Sequence, residues 1–92
     1  MAADLVRRHV ILTGRVQGVF FRDSLRRRAQ TRGVAGWARN RPDGSIEAVF
    51  EGPETEVIGM LVYSREGPPQ AHVETMTSSS EEPEGLSGFS VR

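Results

Sequence analysis

The sequence predicts an α+β domain of order βαββαβ, one antiparallel sheet with two helices on one face. Short β-branched runs alternate with two stretches of helical composition, and glycine or proline stands at the junctions. A length of 92 residues allows one domain with one modest core, so residues 1–92 are read as a single domain.

From Arg7 to Leu12 the chain carries the apolar centre Val10-Ile11-Leu12, bounded by Gly14, and this is the first strand. Arg22 to Arg32 is rich in helix formers, with Phe21, Leu25 and Ala29 at i, i+4 and i+8 as an apolar stripe and Gly33 as a C′ stop. Val34 to Asn40 reads as the second strand, and Arg41-Pro42-Asp43-Gly44 as a turn whose proline presets φ. Ile46 to Glu51 then alternates, with Ile46, Ala48 and Phe50 on one face, as a strand buried on one side does.

Gly52-Pro53-Glu54 has the marks of a helix start, with proline near N1 and glutamates that complement the dipole. Val57, Ile58, Met60, Leu61 and Val62 supply the expected core face. After Gly67-Pro68-Pro69, Ala71 to Thr77 reads as a weaker fourth strand. Ser78 to Gly85 is polar and breaker-rich, the composition of a mobile loop, and Phe89-Ser90-Val91-Arg92 can add a short last strand.

This order is the split βαβ, or ferredoxin-like, sandwich. Its right-handed connection through the first helix makes the first and second strands run in the same direction, with the third between them. Their carboxyl ends share one edge of the sheet, so the stretch Gly14 to Arg22 leaves one end and Asn40 stands at the other.

Composition excludes several classes of chemistry. With no cysteine there is neither a disulfide framework nor a thiolate nucleophile, and His9 and His72 have no zinc spacing. No apolar stretch is long enough to span a bilayer and the Met1 to Asp4 start lacks a signal core, so a soluble cytoplasmic protein is expected. The net charge is zero but segregated, with ten arginines and three aspartates in residues 1–46 and nine glutamates in residues 47–92. A local positive field that steers an anionic ligand fits this layout, as does a solvated arginine face formed by Arg26, Arg27, Arg28 and Arg32.

The stretch Thr13-Gly14-Arg15-Val16-Gln17-Gly18-Val19-Phe20-Phe21-Arg22 follows a strand and opens a helix, where free amide groups and the helix dipole can face an anion. It has neither the Gly-Lys-Ser/Thr of a nucleotide P-loop nor the Gly-x-Gly-x-x-Gly of a dinucleotide site. Taken alone it is an ordinary strand-to-helix turn.

Leu12 to Arg22 resembles the first signature of the acylphosphatases throughout its length, and Gly36-Trp37-Ala38-Arg39-Asn40 with Gly44 and Gly52 resembles the second. The resemblance covers residues 7–77, and the terminal Phe-x-Val suits the family as well. It implies a hydrolase that splits the carboxyl–phosphate anhydride of small acyl phosphates into carboxylate and inorganic phosphate, with no metal or other cofactor. Inorganic phosphate is then both product and competitive inhibitor. No nucleic acid or membrane partner is implied, and a monomer is expected.

Carried over residue by residue, the resemblance has Arg22 bind the phosphoryl oxygens, the backbone of Gln17, Gly18, Val19, Phe20 and Phe21 cradle them, and Asn40 position the attacking water. A planar guanidinium suits two phosphate oxygens at once. For Gln17 the side chain and the backbone are both open as the functional part. Phe20, Phe21 and Trp37 read as core or pocket-wall residues, and His9 and His72 as strand-surface residues. Two other readings share this plan. An RNA-recognition-type module is disfavoured because Val10-Ile11-Leu12 offers no aromatic and Phe50 stands alone. A catalytically silent anion-binding domain would keep the cradle and differ only in turnover.

Overall fold

The computed structural model describes residues 4–92; Met1 to Ala3, on which the reading of the amino terminus partly rests, lie outside them. In chain order the elements are β1 (Leu5–Arg15), α1 (Phe21–Arg32), β2 (Ala35–Asn40), β3 (Ile46–Pro53), α2 (Glu54–Glu66), β4 (His72–Glu81) and β5 (Phe89–Val91). They form one five-stranded sheet in the order β4-β1-β3-β2-β5, so β3 lies between β1 and β2 as expected. The helices share one face. Phe21, Leu25 and Ala29 of α1 and Val57 and Met60 of α2 join Val10, Leu12, Ala38, Ile46, Ala48 and Phe50 in a single buried cluster.

The sheet is mixed rather than wholly antiparallel. β1, β2, β3 and β4 pair antiparallel with their neighbours, but β5 joins β2 in parallel, with Gly36 opposite Phe89 and Ala38 opposite Val91. The cause is topological. β4 ends beside the start of β1, which is also the end of the sheet where β2 begins, so a chain crossing from there to the far edge must run alongside β2.

Three other expectations are corrected. β4 does not end at Thr77; Ser78 to Glu81 continue it, opposite Val10 to Arg7 of β1, and are therefore strand rather than a mobile loop. An edge strand needs only a partner's backbone on one side, so serine and threonine on its exposed faces are compatible with pairing. β3 is buried on both faces, because His9 and Trp37 stand beside Val49 in the register and Glu51 is buried at the strand's far end. In α2 only Val57, Met60 and Ser64 are fully buried, whereas Ile58 and Val62 face solvent and Leu61 is half-buried. Positions 57, 60 and 64 lie on one side of a helix, and the apolar run is wider than the surface offered to it. Pro53, the last residue of β3, stands in an extended conformation directly before α2, near N1 as expected, and Glu54 and Glu56 fall in the first turn.

The polar Ser64 tolerates its buried place because its Oγ donates to the Met60 carbonyl oxygen at 2.7 Å. Gly36 is demanded by close approach, since a Cβ built there would stand 1.8 Å from the Val49 carbonyl oxygen.

Candidate active site

The loop between β1 and α1 is pinned by two apolar side chains. Val16 and Val19 are buried in the core, which leaves Gln17 half-buried and Gly18 and Phe20 at the surface. Gly18 and Phe20 both take left-handed φ values, 74° and 63°, and Phe20 is the one residue other than glycine with positive φ among the described residues. Left-handed residues alternating in this way turn successive amides toward a common side. Among the described residues no backbone N–H from Gln17 to Arg22 has a hydrogen-bond partner, and α1 has no side-chain cap at its start. A bare helix N-terminus preceded by free amides is a local positive pole.

Arg22 lies in the first turn of α1 and is half-buried, with Nη1 donating to the Arg92 carbonyl oxygen at 2.7 Å. A guanidinium has five N–H donors, so this contact leaves most of its fork free. Asp23 does not cancel the charge at this point, because its carboxylate is held by Arg26 at 2.5 Å and by Arg27 at 2.9 Å.

Asn40 ends β2 on the same sheet edge, and its Oδ1 is buried without a hydrogen-bond partner. A buried acceptor left unpaired costs roughly 1–3 kcal/mol, so an oxygen with no partner in the protein is suited to accept a hydrogen bond from a bound water or ligand. Arg22, Asn40 and Gly18 together line one cavity of about 490 Å³, walled by Val16, Phe20 and Val91. The topology has brought the two predicted side chains and part of the cradle to one place.

The other loop residues divide by function. Val19 and Phe21 are 4% and 1% exposed, so only their backbone can face a ligand. Phe20 is 80% exposed and forms a rim of the cavity, which settles its reading as a wall rather than core. The Gln17 side chain turns away from the cavity; its Nε2 donates to the carbonyl oxygens of Arg41 at 2.8 Å and Ser45 at 3.0 Å. The turn it grips is itself tied, with the Asp43 carboxylate accepting from the Ser45 N–H at 3.0 Å and from its Oγ at 2.6 Å. Those bonds from the Ser45 hydroxyl and amide hold the Asp43 carboxyl below its ordinary pKa. His9 is occupied as a strand residue, its Nε2 lying 2.6 Å from Glu47.

Two contributions escaped the sequence reading. Val91 of β5 forms part of the cavity wall, and Phe89 stacks on Phe50 with ring centroids 5.9 Å apart to seat that strand. The Arg92 N–H donates to the Ala38 carbonyl oxygen at 2.8 Å, and its guanidinium lies 4.5 Å above the Trp37 ring. The alternation Phe89-Ser90-Val91 was the available signal. The second contribution is Glu51, whose carboxylate accepts the N–H groups of Glu84, Gly85 and Leu86, each at 2.8 Å, and meets Arg7 Nη1 at 3.3 Å. It anchors the crossing that delivers β5 to the site, and no local pattern announces it.

Among the described residues no three histidine, aspartate or glutamate side chains are grouped to hold a metal ion, and no helix is long and apolar enough to cross a membrane. The arrangement consists of a cationic fork, free amides and an unpaired acceptor. Chemically, that set can bind a tetrahedral anion on one side and orient a water on the other.

Comparisons with known proteins point to one family. The family model described as Acylphosphatase matches residues 8–91. A curated acylphosphatase of Gloeobacter violaceus is 53% identical over 97% of this chain and 96% of its own length, and one of Haloarcula marismortui is 50% identical over 94% of each. Among solved structures, an acylphosphatase from Coxiella burnetii superposes with a TM-score of 0.92 at 36% identity, covering 96% of this chain and 93% of that one. With one family model spanning nearly the whole chain, and relatives of matching length at half identity, this chain belongs to the acylphosphatase family.

Proposed function

We propose that this acylphosphatase acts through the cavity shared by Gly18, Arg22 and Asn40, hydrolysing the carboxyl–phosphate anhydride of small acyl phosphates. The support for the assignment is that Arg22 and Asn40 line one cavity and that the buried Oδ1 of Asn40 has no hydrogen-bond partner within the protein. Arg22 takes two phosphoryl oxygens in its fork, and the amides from Gln17 to Phe21 take the remaining charge. Charge-assisted hydrogen bonds of this kind are worth roughly 1.5–3 kcal/mol each.

A water molecule donates to Asn40 Oδ1 and is thereby aimed at phosphorus. Its oxygen forms the new P–O bond as the bond to the acyl oxygen breaks. The acyl group leaves as a carboxylate, and the water's proton passes to a phosphoryl oxygen of the substrate. An acyl phosphate has a good leaving group, so positioning and charge stabilisation supply the catalysis and Asn40 need not act as a base.

On this reading residues 1–92 work as one domain, as a cytoplasmic monomer, and inorganic phosphate competes with substrate because it fills the same cradle. Measuring phosphate release from acetyl phosphate, with and without a chelator, tests the proposal. Turnover that survives chelation supports it. A folded sample that binds phosphate and releases none overturns it in favour of a silent anion-binding domain.

A further inference from the structure

We infer that Phe20 sets the acyl-group preference of the enzyme, giving it a subsite for aromatic or bulky apolar acyl groups; this rests on the phosphoryl site proposed above. Phe20 is the most exposed of the large apolar side chains among the described residues, at 80%, and it holds the left-handed φ of 63° that non-glycine residues seldom adopt. The left-handed backbone serves the amide cradle and at the same time leaves the ring uncovered beside it.

The position of the ring says what it does. Phe20 borders the cavity that contains Arg22 and Asn40, and it also borders a second groove of about 920 Å³ along α1. That groove continues past Val19 to Tyr63, Pro68 and Pro69, with the Arg27, Arg28 and Arg32 side chains of α1 along it as well. The first cavity is lined by Val91 as well, itself 39% exposed. A phosphoryl group held by the amides and the fork therefore has apolar walls at its outlet, and Phe20 is the wall common to both spaces. The acyl group, which departs from the phosphoryl group opposite the attacking water, lies over this ring and toward the groove.

A planar acyl group on an aromatic ring gains roughly 0.5–1.5 kcal/mol beyond the area it buries. Acetyl is too small to collect that contact, and benzoyl can. The experiment is the ratio of kcat/KM for benzoyl phosphate to that for acetyl phosphate, in the wild type and in Phe20→Asn, Phe20→Tyr and Val91→Ala. Asparagine tolerates the left-handed conformation, so the loop is preserved while the ring is lost. Both substrates carry the same phosphoryl group, so any damage to the cradle cancels in the ratio.

We expect the ratio to favour benzoyl in the wild type, to fall about 3- to 10-fold in Phe20→Asn, to survive in Phe20→Tyr, and to fall less in Val91→Ala. A ratio unchanged in Phe20→Asn, with both substrates slowed equally, overturns the inference while leaving the phosphoryl site intact. If the wild type turns over neither substrate, the hydrolytic site itself is wrong and the subsite goes with it.

Discussion

The Gln17 side chain bridges the β1–α1 loop and the β2–β3 turn, donating from one Nε2 to the Arg41 carbonyl oxygen at 2.8 Å and to the Ser45 carbonyl oxygen at 3.0 Å. Arg41 follows Asn40 directly, so this amide fixes the distance between the anion cradle and the residue that would place the water. Gln17→Ala should cost about 1–2 kcal/mol in chemical denaturation, because two part-buried carbonyls lose their donor. It should also lower kcat about 10-fold, since small misplacements of a reacting water are expensive in rate. Gln17→Glu should behave no better, because an ionised carboxylate accepts and cannot donate. Full activity in both variants would show that the loop and the turn hold their spacing without this side chain.

Arg22→Lys keeps the charge and loses the planar fork. One point charge cannot meet two phosphoryl oxygens at fixed separation, so kcat/KM should fall on the order of 10²-fold. Inhibition by inorganic phosphate should weaken in the same variant, because the fork grips ground state and product alike. Steady-state kinetics with phosphate as inhibitor checks both halves, and an unchanged kcat/KM would remove Arg22 from the site.

Asn40→Ala should separate activity from stability. The Oδ1 of Asn40 has no hydrogen-bond partner within the protein, so deleting it breaks no bond that holds the fold. Thermal melting should therefore be no lower than in the wild type, while kcat falls by at least 10²-fold with the water left unplaced. Phosphate should still inhibit competitively, because the amides and Arg22 remain. Loss of phosphate inhibition together with kcat would mean that Asn40 holds the anion rather than the water.

The legible parts of the chain were those where local chemistry and tertiary context agree. Phe21, Leu25 and Ala29 are the buried residues of α1, as their spacing predicts, and Gly33 ends the helix at φ 69°. The placement of Arg22 and Asn40 on one edge followed from strand order alone, and the cavity they share bears it out. What stayed illegible depends on partners distant in sequence. Ser78 to Glu81 carry no apolar pattern, and they are a strand only because β1 offers them its free edge. The burial of Glu51 follows from amides more than 30 residues away, and a lone glutamate at a strand end reads as solvated until its donors are known. Gln17 was undecided between side chain and backbone for the same reason, since its acceptors lie in a turn 24 and 28 residues on.

Glu51 is the residue through which acid should reach this fold. Burial by itself would push its carboxyl up, but the amides of Glu84, Leu86 and Gly85 and the Arg7 guanidinium outweigh burial and hold it below the ordinary glutamate value. A carboxyl depressed in the folded state binds its proton more readily when unfolded. Its contribution to stability is therefore complete above the unfolded value of about 4.3 and is lost as pH falls from there toward the folded pKa. Glu51→Gln removes the charge at every pH and leaves one carbonyl oxygen where two carboxylate oxygens accepted three amides. At neutral pH the variant should be about 3 kcal/mol less stable, the cost of breaking a buried ion pair from one side. Below about pH 4 the gap should shrink, since the wild type is then losing the same charge. Because the three amides belong to the crossing that precedes β5, the variant should also loosen Val91 and the Arg92 carbonyl that receives Arg22. Urea titrations of the two proteins at neutral and acid pH measure the gap directly. A difference that stays constant or widens on acidification would show that the Glu51 side chain stabilises the crossing through packing rather than through its charge.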